Sequence, residues 1–376
     1  MIFLHTSDWH LGATGGERDL WDDQKYFIDA ICGIVREKRV DAVLLAGDVY
    51  DRSVPAASAI GLYDYAMNRL CGELGVKVLT IAGNHDSAER LASCAGLLDK
   101  AGLYLQGAAQ REPRVVEFAD SQVFFLPWIT EEKIKSLYPE ERDGITDLTE
   151  AYRVAVNHMR EKFIPGKRHF LLAHAFITNA ETSTSDRAAE IGFATQVPAS
   201  VFEGFDYVAL GHIHKPQQVN PFIRYSGSPM AYSFGKEERQ EKSVTLIDTA
   251  AMTQQVVPLP LLHRWTTLTD SYETLLAGEY PEEIREGYVR LNVTDTAVGL
   301  DMLSRLRQVY PNALVVAGKT YDGEDTTITL TMEQLEQMES DPAEVFKSFC
   351  REEMGQEATD HFLQLFAQAV EEADAE

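Results

Sequence analysis

The 376-residue chain lacks the features that would place it in several familiar classes. It has four cysteines, Cys32, Cys71, Cys94 and Cys350, far apart and without a CxxC pair. That excludes a disulfide scaffold, and the thiols read as reduced, mostly buried groups of a cytoplasmic protein. No apolar run approaches the ~18 residues of a membrane span, so no membrane partner is expected. The opening MIFLHTSDWH has neither a basic flank nor a small-residue cleavage site, and reads as a strand rather than a signal peptide. No GxxxxGK[ST] loop is present. The glycines of GATGGERD at 12–19 are not followed by Lys and Ser or Thr, which argues against ATP binding by this chain. Positive charge is also scarce, with 34 Lys and Arg against 59 Asp and Glu and a net charge of −25. Net charge therefore gives no support to phosphate neutralisation. The imbalance is uneven, because residues 332–376 alone contribute 13 acidic and 2 basic side chains.

What is present is an alternation of short apolar runs and helical patterns. The runs are IFLH at the start, DAVLLAGD at 41–48, VKVLTIAGNHD at 76–86, HFLLAH at 169–174 and DYVALGHIH at 206–214. Their β-branched and Leu-rich composition predicts strands covered on both faces. Between them, Phe27, Ile28, Ile31, Ile34 and Val35 share one helical face, and residues 55–71 and 87–101 are Ala- and Leu-rich. Asp147 is placed to cap a helix carrying Leu148, Tyr152, Ala155, Met159 and Phe163. The alternation predicts an α/β sandwich over residues 1–260, with later strands near 222–227 and 243–248 forming a more antiparallel second sheet. Pro258 and Pro260 suggest a linker. Beyond it, 265–332 reads as a small β-α-β-β unit, and 333–376 as an acidic helical tail. In that tail the segment DPAE at 341–344 offers an N-cap, and Phe362, Leu365, Phe366, Ala369 and Val370 form an apolar stripe.

Each apolar run of the first part ends in residues of metal-ligand type. These are Asp8 and His10, then Asp48, then Asn84 and His85, then His174, then His212 and His214. In α/β sheets ligands gather outside the carboxyl ends of strands, so these residues are expected to converge. Residues two apart on extended chain point the same way, which lets Asp8/His10 and His212/His214 each reach one site. Leaving His85 aside, two carboxylates, one amide oxygen and four imidazoles exceed the needs of one four-coordinate metal. They suit two metals ~3.5–4 Å apart that share a carboxylate. Nitrogen and oxygen donors without thiolate point to manganese, iron or zinc over magnesium or calcium. His5, His158, His169, His263 and His361 stand outside this pattern and read as structural or surface residues.

Asp8-x-His10, GDVYD, GNHD, His174 and GHIH together resemble the signature of calcineurin-like metallophosphoesterases. HTSDWHLG at 5–12, GDVYDRSVP at 47–55 and YSGSPMAYSFG at 225–235 are similar to the SbcD family of bacterial double-strand-break nuclease subunits. The resemblance implies an α/β/β/α sandwich with a small α+β cap domain and C-terminal helices. It implies two divalent cations, manganese foremost, with Asp8, His10 and His214 on one and Asn84, His174 and His212 on the other. Asp48 would bridge them, and a hydroxide formed between them would attack the diester. His85 would face the scissile phosphate as a catalytic group. Asp86 would orient His85 or serve a turn. Asp51 is a second orienting candidate, at a position where archaeal and eukaryotic relatives carry a histidine. Implied partners are DNA, an SbcC-type ATPase docked on the tail, and a twin subunit in a heterotetramer. The Ala-rich helices would pack against that twin or cover the sheet. Arg18, Arg52, Lys215 and Lys236 are candidate DNA contacts or plain solvated charges. The alternative is a stand-alone phosphodiesterase or phosphatase acting on nucleotides or phosphoproteins.

Overall fold

The computed structural model describes residues 1–16, 18–186, 196–296, 298–318 and 328–331, with 343, 346, 347, 350 and 358–373 of the tail. It divides into two compact units, one of 1–15 and 19–262, the other of 16–18 and 263–376.

The first unit contains two six-stranded sheets. In the first sheet Ile2–Thr6, Ala42–Leu45, Lys77–Ile81 and Leu103–Gln106 run parallel, in register Leu4↔Val43↔Val78↔Leu103. Ser243–Asp248 pairs antiparallel on the other side of Ile2–Thr6, and Thr253–Pro258 follows it at the edge. In the second sheet Ser121–Leu126, Arg168–His174, Tyr207–Gly211 and Ile223–Tyr225 run parallel. Gln217–Asn220 and Val115–Glu117 close its two edges antiparallel. The late strands expected to share one sheet thus divide between the two. Ile223–Tyr225 continues the second sheet in parallel, and Ser243–Asp248 returns to the first. The two units divide at Leu262, just past Pro260 of the expected linker, and residues 253–258 still belong to the first sheet. They form an edge strand, the position in a sheet where Pro258 sacrifices no ladder bond.

Period-two alternation explains why these strands are apolar throughout. Phe3, Leu44, Leu79 and Ile81 meet Val123, Phe125, Phe170 and Leu172 between the sheets. The alternate residues of the second sheet, Phe124, Leu126, Leu171 and Leu210, pack on Tyr152, Ala155, Val156 and Met159 of helix Leu148–Arg160. Asp147 caps that helix by accepting from Glu150 N–H at 2.9 Å, a contact worth ~1 kcal/mol. On the other flank, helix Trp21–Lys38 buries Phe27, Ile28, Ile31 and Val35. Helix Ala57–Met67 continues as a π-helical stretch, Asn68–Glu73. The expected helix at 87–101 is broken into Ala88–Leu91, Ala95–Leu98 and Asp99–Ala101, because Cys94 sits in the left-handed region with φ 59°.

The second unit has one more strand than expected. Trp265–Asp270, Tyr288–Val293 and Ala313–Gly318 are parallel, and Ile328–Thr331 pairs antiparallel with the last. Leu268, Leu275, Val289, Leu291, Leu303, Leu306 and Tyr310 form its core. In the tail, helix Asp360–Ala373 stacks Phe366 on Phe346 with ring centroids 4.4 Å apart, while Phe362 and Leu365 stay exposed. Asp341, Pro342 and Glu344 of the expected cap lie outside the described residues. Among the described residues no helix is long and apolar enough to cross a membrane.

Candidate metal centre

The parallel strands of both sheets end at one rim, and the residues beyond them form the site. The loops are stitched by backbone bonds: Asp8 N–H donates to Gly47 O at 3.0 Å, His10 N–H to Asp48 O at 3.0 Å, and Trp128 N–H to Ala82 O at 3.0 Å. Asp8, His10, Asp48 and His212 all have positive φ (54°, 41°, 48° and 104°). Non-glycine residues seldom occupy that region, and such strain gathers at functional sites. Glycines permit the close approach. A Cβ on Gly83 would lie 2.1 Å from Asp48 Oδ1, and one on Gly211 would lie 1.9 Å from Ala46 O.

The predicted donors come together. Asp48 Oδ2 lies 3.4 Å from His174 Nε2, 3.8 Å from His10 Nε2 and 4.0 Å from His85 Nε2. His10 Nε2 and His214 Nε2 are 3.0 Å apart. Asn84 Oδ1 is 2.9 Å from His174 Nε2 and 3.0 Å from His212 Nδ1. Asp8 Oδ1 accepts from His212 N–H at 2.9 Å and its Oδ2 from Ser7 Oγ at 2.6 Å. Asp8, His10 and His214 have ligand atoms within 4.8 Å of one another, as do Asp8, Asp48 and His174. A third such group joins His10 and His85 to Asp51.

Several donors are held in the state a cation requires. His174 Nδ1–H donates to Ala46 O at 2.8 Å, so a cation would meet this ring at Nε2, the nitrogen facing Asp48. His10 Nδ1 is buried with no hydrogen-bond partner, 3.8 Å from the Asp51 carboxylate. Burial would push the Asp48 carboxyl up, but the adjoining His174 overcomes this and holds it well below the usual range. His174 is correspondingly raised to about 9, with Asp48 outweighing burial. Burial pushes His212 down to about 3 and His10 well below its ordinary value, so both offer neutral nitrogens. Burial also raises Asp8. The buried nitrogen and oxygen donors, without thiolate, fit two hard-to-borderline divalent cations.

His85 stands at the side of this cluster. Its Nδ1–H donates to the backbone carbonyl of Asp51 at 2.8 Å, so the ring is oriented by Asp51 through its main chain. Asp86 does not orient it. The Asp86 carboxylate accepts from Val49, Tyr50 and Gly83 N–H at 3.1, 2.9 and 2.9 Å, which ties the two ligand loops together. Burial and the nearby Asp48 raise its pKa to about 6. Arg52 is exposed and pairs with Asp51 at 3.4 Å. Lys215 pairs with Glu181, and exposed Lys236 reaches Thr182 O at 3.5 Å. Arg18 is exposed and groups with the second unit, its guanidinium 5.8 Å from the Tyr288 ring centroid.

Sequence reasoning missed the layer behind the donors. Trp128 stacks on His212 with ring centroids 5.1 Å apart. Ser185 Oγ is 2.5 Å and Glu237 Oε1 is 3.2 Å from His214 Nδ1. Asp186 Oδ1 accepts from His214 N–H at 3.1 Å. Lys242 is buried beside Glu237, 3.9 Å from its Oε2. Glu237 raises His214 to about 9 against the effect of burial.

A two-sheet sandwich with a buried Asp/His cluster able to hold two metals at its strand ends defines a metallophosphoesterase. The calcineurin-like phosphoesterase family pattern matches residues 1–216. That of the type 5 capsule protein repressor C-terminal domain matches residues 261–354. The D subunit of the SbcCD nuclease from Staphylococcus epidermidis is 30% identical over 86% of this chain and 86% of its own. Its namesake from Staphylococcus saprophyticus is 28% identical over 86% of each chain. A dimetal phosphatase from Danio rerio overlays 65% of this chain and 91% of its own at 12% identity, with a TM-score of 0.39. The chain belongs to the calcineurin-like phosphoesterase family, and within it to the SbcD branch.

Proposed function

We propose that the chain is a metal-dependent DNA nuclease that hydrolyses phosphodiesters as the SbcD component of an SbcCD-type complex. The observation that carries this reading is the meeting of Asp8, His10, Asp48, Asn84, His174, His212 and His214, drawn from five strand ends, in one buried cluster. Asp8, His10 and His214 would hold one cation, Asn84, His174 and His212 the other, and Asp48 both. Bound cations would supply Lewis acidity toward the phosphoryl oxygens and a water acidic enough to attack near neutral pH. The chain's own part is to orient these donors and to present His85. With Nδ1–H committed to the Asp51 carbonyl, His85 exchanges protons at Nε2 only. A protonated Nε2 would donate to the developing phosphate charge or the leaving oxygen.

The boundary at Leu262 supports a nuclease part of about 1–260 and a separate cap of about 265–332. The exposed Phe362 and Leu365 support docking of the tail on an SbcC-type ATPase. An apolar groove lined by Ile60, Tyr63, Met67, Cys71 and Leu98 supports pairing with a twin copy of the chain. Purified chain with manganese is assayed on hairpin DNA and on p-nitrophenyl phosphate esters. DNA cleavage abolished by EDTA is expected. Hydrolysis of monoesters alone would favour the stand-alone phosphatase, and inactivity with every divalent metal would sink both.

A further inference from the structure

We propose that Glu237 is a positioning residue for the cation assigned to Asp8, His10 and His214, acting through Ser185 and braced by Lys242. The inference rests on the two-cation reading and extends it to residues far from the strand-end motifs. Glu237 is 1% exposed and lies on the short 3-10 segment Glu237–Arg239. A carboxylate so buried needs every oxygen satisfied. Its Oε2 accepts from Tyr232 N–H at 2.7 Å, and its Oε1 accepts from the Ser185 hydroxyl.

The direction of those bonds fixes the histidine. Ser185 has one proton, and an acceptor-only carboxylate takes it. The Ser185 oxygen therefore offers a lone pair to His214 Nδ1 at 2.5 Å, and Glu237 Oε1 offers a second acceptor at 3.2 Å. Nδ1 must carry hydrogen. When the ring is neutral, its lone pair is then on Nε2, the atom 3.0 Å from His10 Nε2 in the cluster. Lys242 keeps the arrangement in place. Its Nζ donates to Ser228 Oγ at 2.9 Å, to His214 O at 3.2 Å and to Gln240 Oε1 at 3.2 Å, and it supplies the countercharge for Glu237. One buried ammonium thus holds both the backbone of His214 and the carboxylate that sets its ring. Such outer partners of metal-bound histidines typically account for ~10–100-fold in metal affinity.

Glu237→Gln tests this, because an amide can accept at only one of the two oxygen positions. Its NH2 must face either the Tyr232 N–H or the Ser185 hydroxyl. Manganese alone is titrated into the metal-free full-length chain, with free ion read by electron paramagnetic resonance. The wild-type chain is expected to bind two ions. Glu237→Gln is expected to weaken one of them by ~10–100-fold and leave the other unchanged. Ser185→Ala, at a half-buried position, is expected to weaken the same ion by a smaller factor. It decides the matter where Glu237→Gln does not fold. Two unaltered ions in the folded variant overturn the assignment. So does equal weakening of both ions with a lowered melting temperature of the metal-free chain, since a merely structural role predicts that. A wild-type chain that binds fewer than two ions overturns the two-cation reading first, and this assignment with it.

Discussion

A single methyl group at Gly83 should disable the site while leaving every donor in the sequence. Built on the observed backbone, that carbon lies 2.1 Å from Asp48 Oδ1 and 2.5 Å from Asp48 N. Ordinary contact begins near 3.4 Å, so Asp48 must retreat by about 1.3 Å. Rotating the side chain cannot relieve this, because the backbone nitrogen collides as well. Asp48 Oδ1 is also fixed by His85 N–H at 2.9 Å, so the imidazole proposed to face the phosphate moves with it. Overpacking of this kind costs ~1–3 kcal/mol, and a ~1 Å misplacement costs on the order of 100-fold in rate. Gly83→Ala is therefore expected to lower the urea midpoint modestly and to cut diester hydrolysis on the order of 100-fold. Manganese titration should show both ions weakened, since Asp48 is assigned to both. Wild-type turnover with wild-type metal affinity would refute the steric argument and the placement of Asp48 between the two donor sets.

His85→Gln should keep both metals and lose ~100–10,000-fold in cleavage; elemental analysis showing a missing ion would make His85 a ligand. His5 is buried between Tyr207 OH at 3.0 Å and Leu210 O at 3.1 Å, and burial pushes its pKa from 6.5 to about 3. Its neutral form contributes stability in full above pH 6.5, and that contribution fades as pH falls toward 3 at ~1.4 kcal/mol per pH unit. His5→Gln should flatten that slope in urea titrations between pH 6.5 and about 4.5; an unchanged slope would contradict the assignment. A chain ending near Glu336 should keep its metals and hydrolyse a small diester, yet fail to co-elute with an SbcC-type ATPase on size exclusion. Intact co-elution would move the docking surface elsewhere.

The strand ends were legible because strands covered on both faces are apolar until they stop. A polar residue at such a stop has no packing role, so Asp8, Asp48, Asn84 and His174 stand out from composition alone. The sign of φ at Asp8, His10, Asp48 and His212 was not legible, since no local preference of Asp or His demands it. The bracing layer was hidden for another reason. GKEERQEK at 235–242 reads as solvated charge, and Glu237 and Lys242 become buried only when chain from 183–186 and 214 closes over them. Prolines obscured the edge strand Thr253–Pro258, where a missing N–H is harmless. The sequence left Asp86 two roles, orienting His85 or serving a turn, and only the folded loops decide for the second, its carboxylate serving three main-chain donors.

The strand Ile2–Thr6 has neighbours of very different age on the ribosome. Ala42–Leu45 emerges soon after it, but Ser243–Asp248 follows about 240 residues later. Asp8 likewise waits about 200 residues for His214. At a synthesis rate of ~5–20 residues per second, that gap lasts roughly 10–40 s. During it the nascent chain holds some donors but no complete set. By the ligand assignment proposed above, a chain that ends before His214 is expected to lack diester hydrolysis.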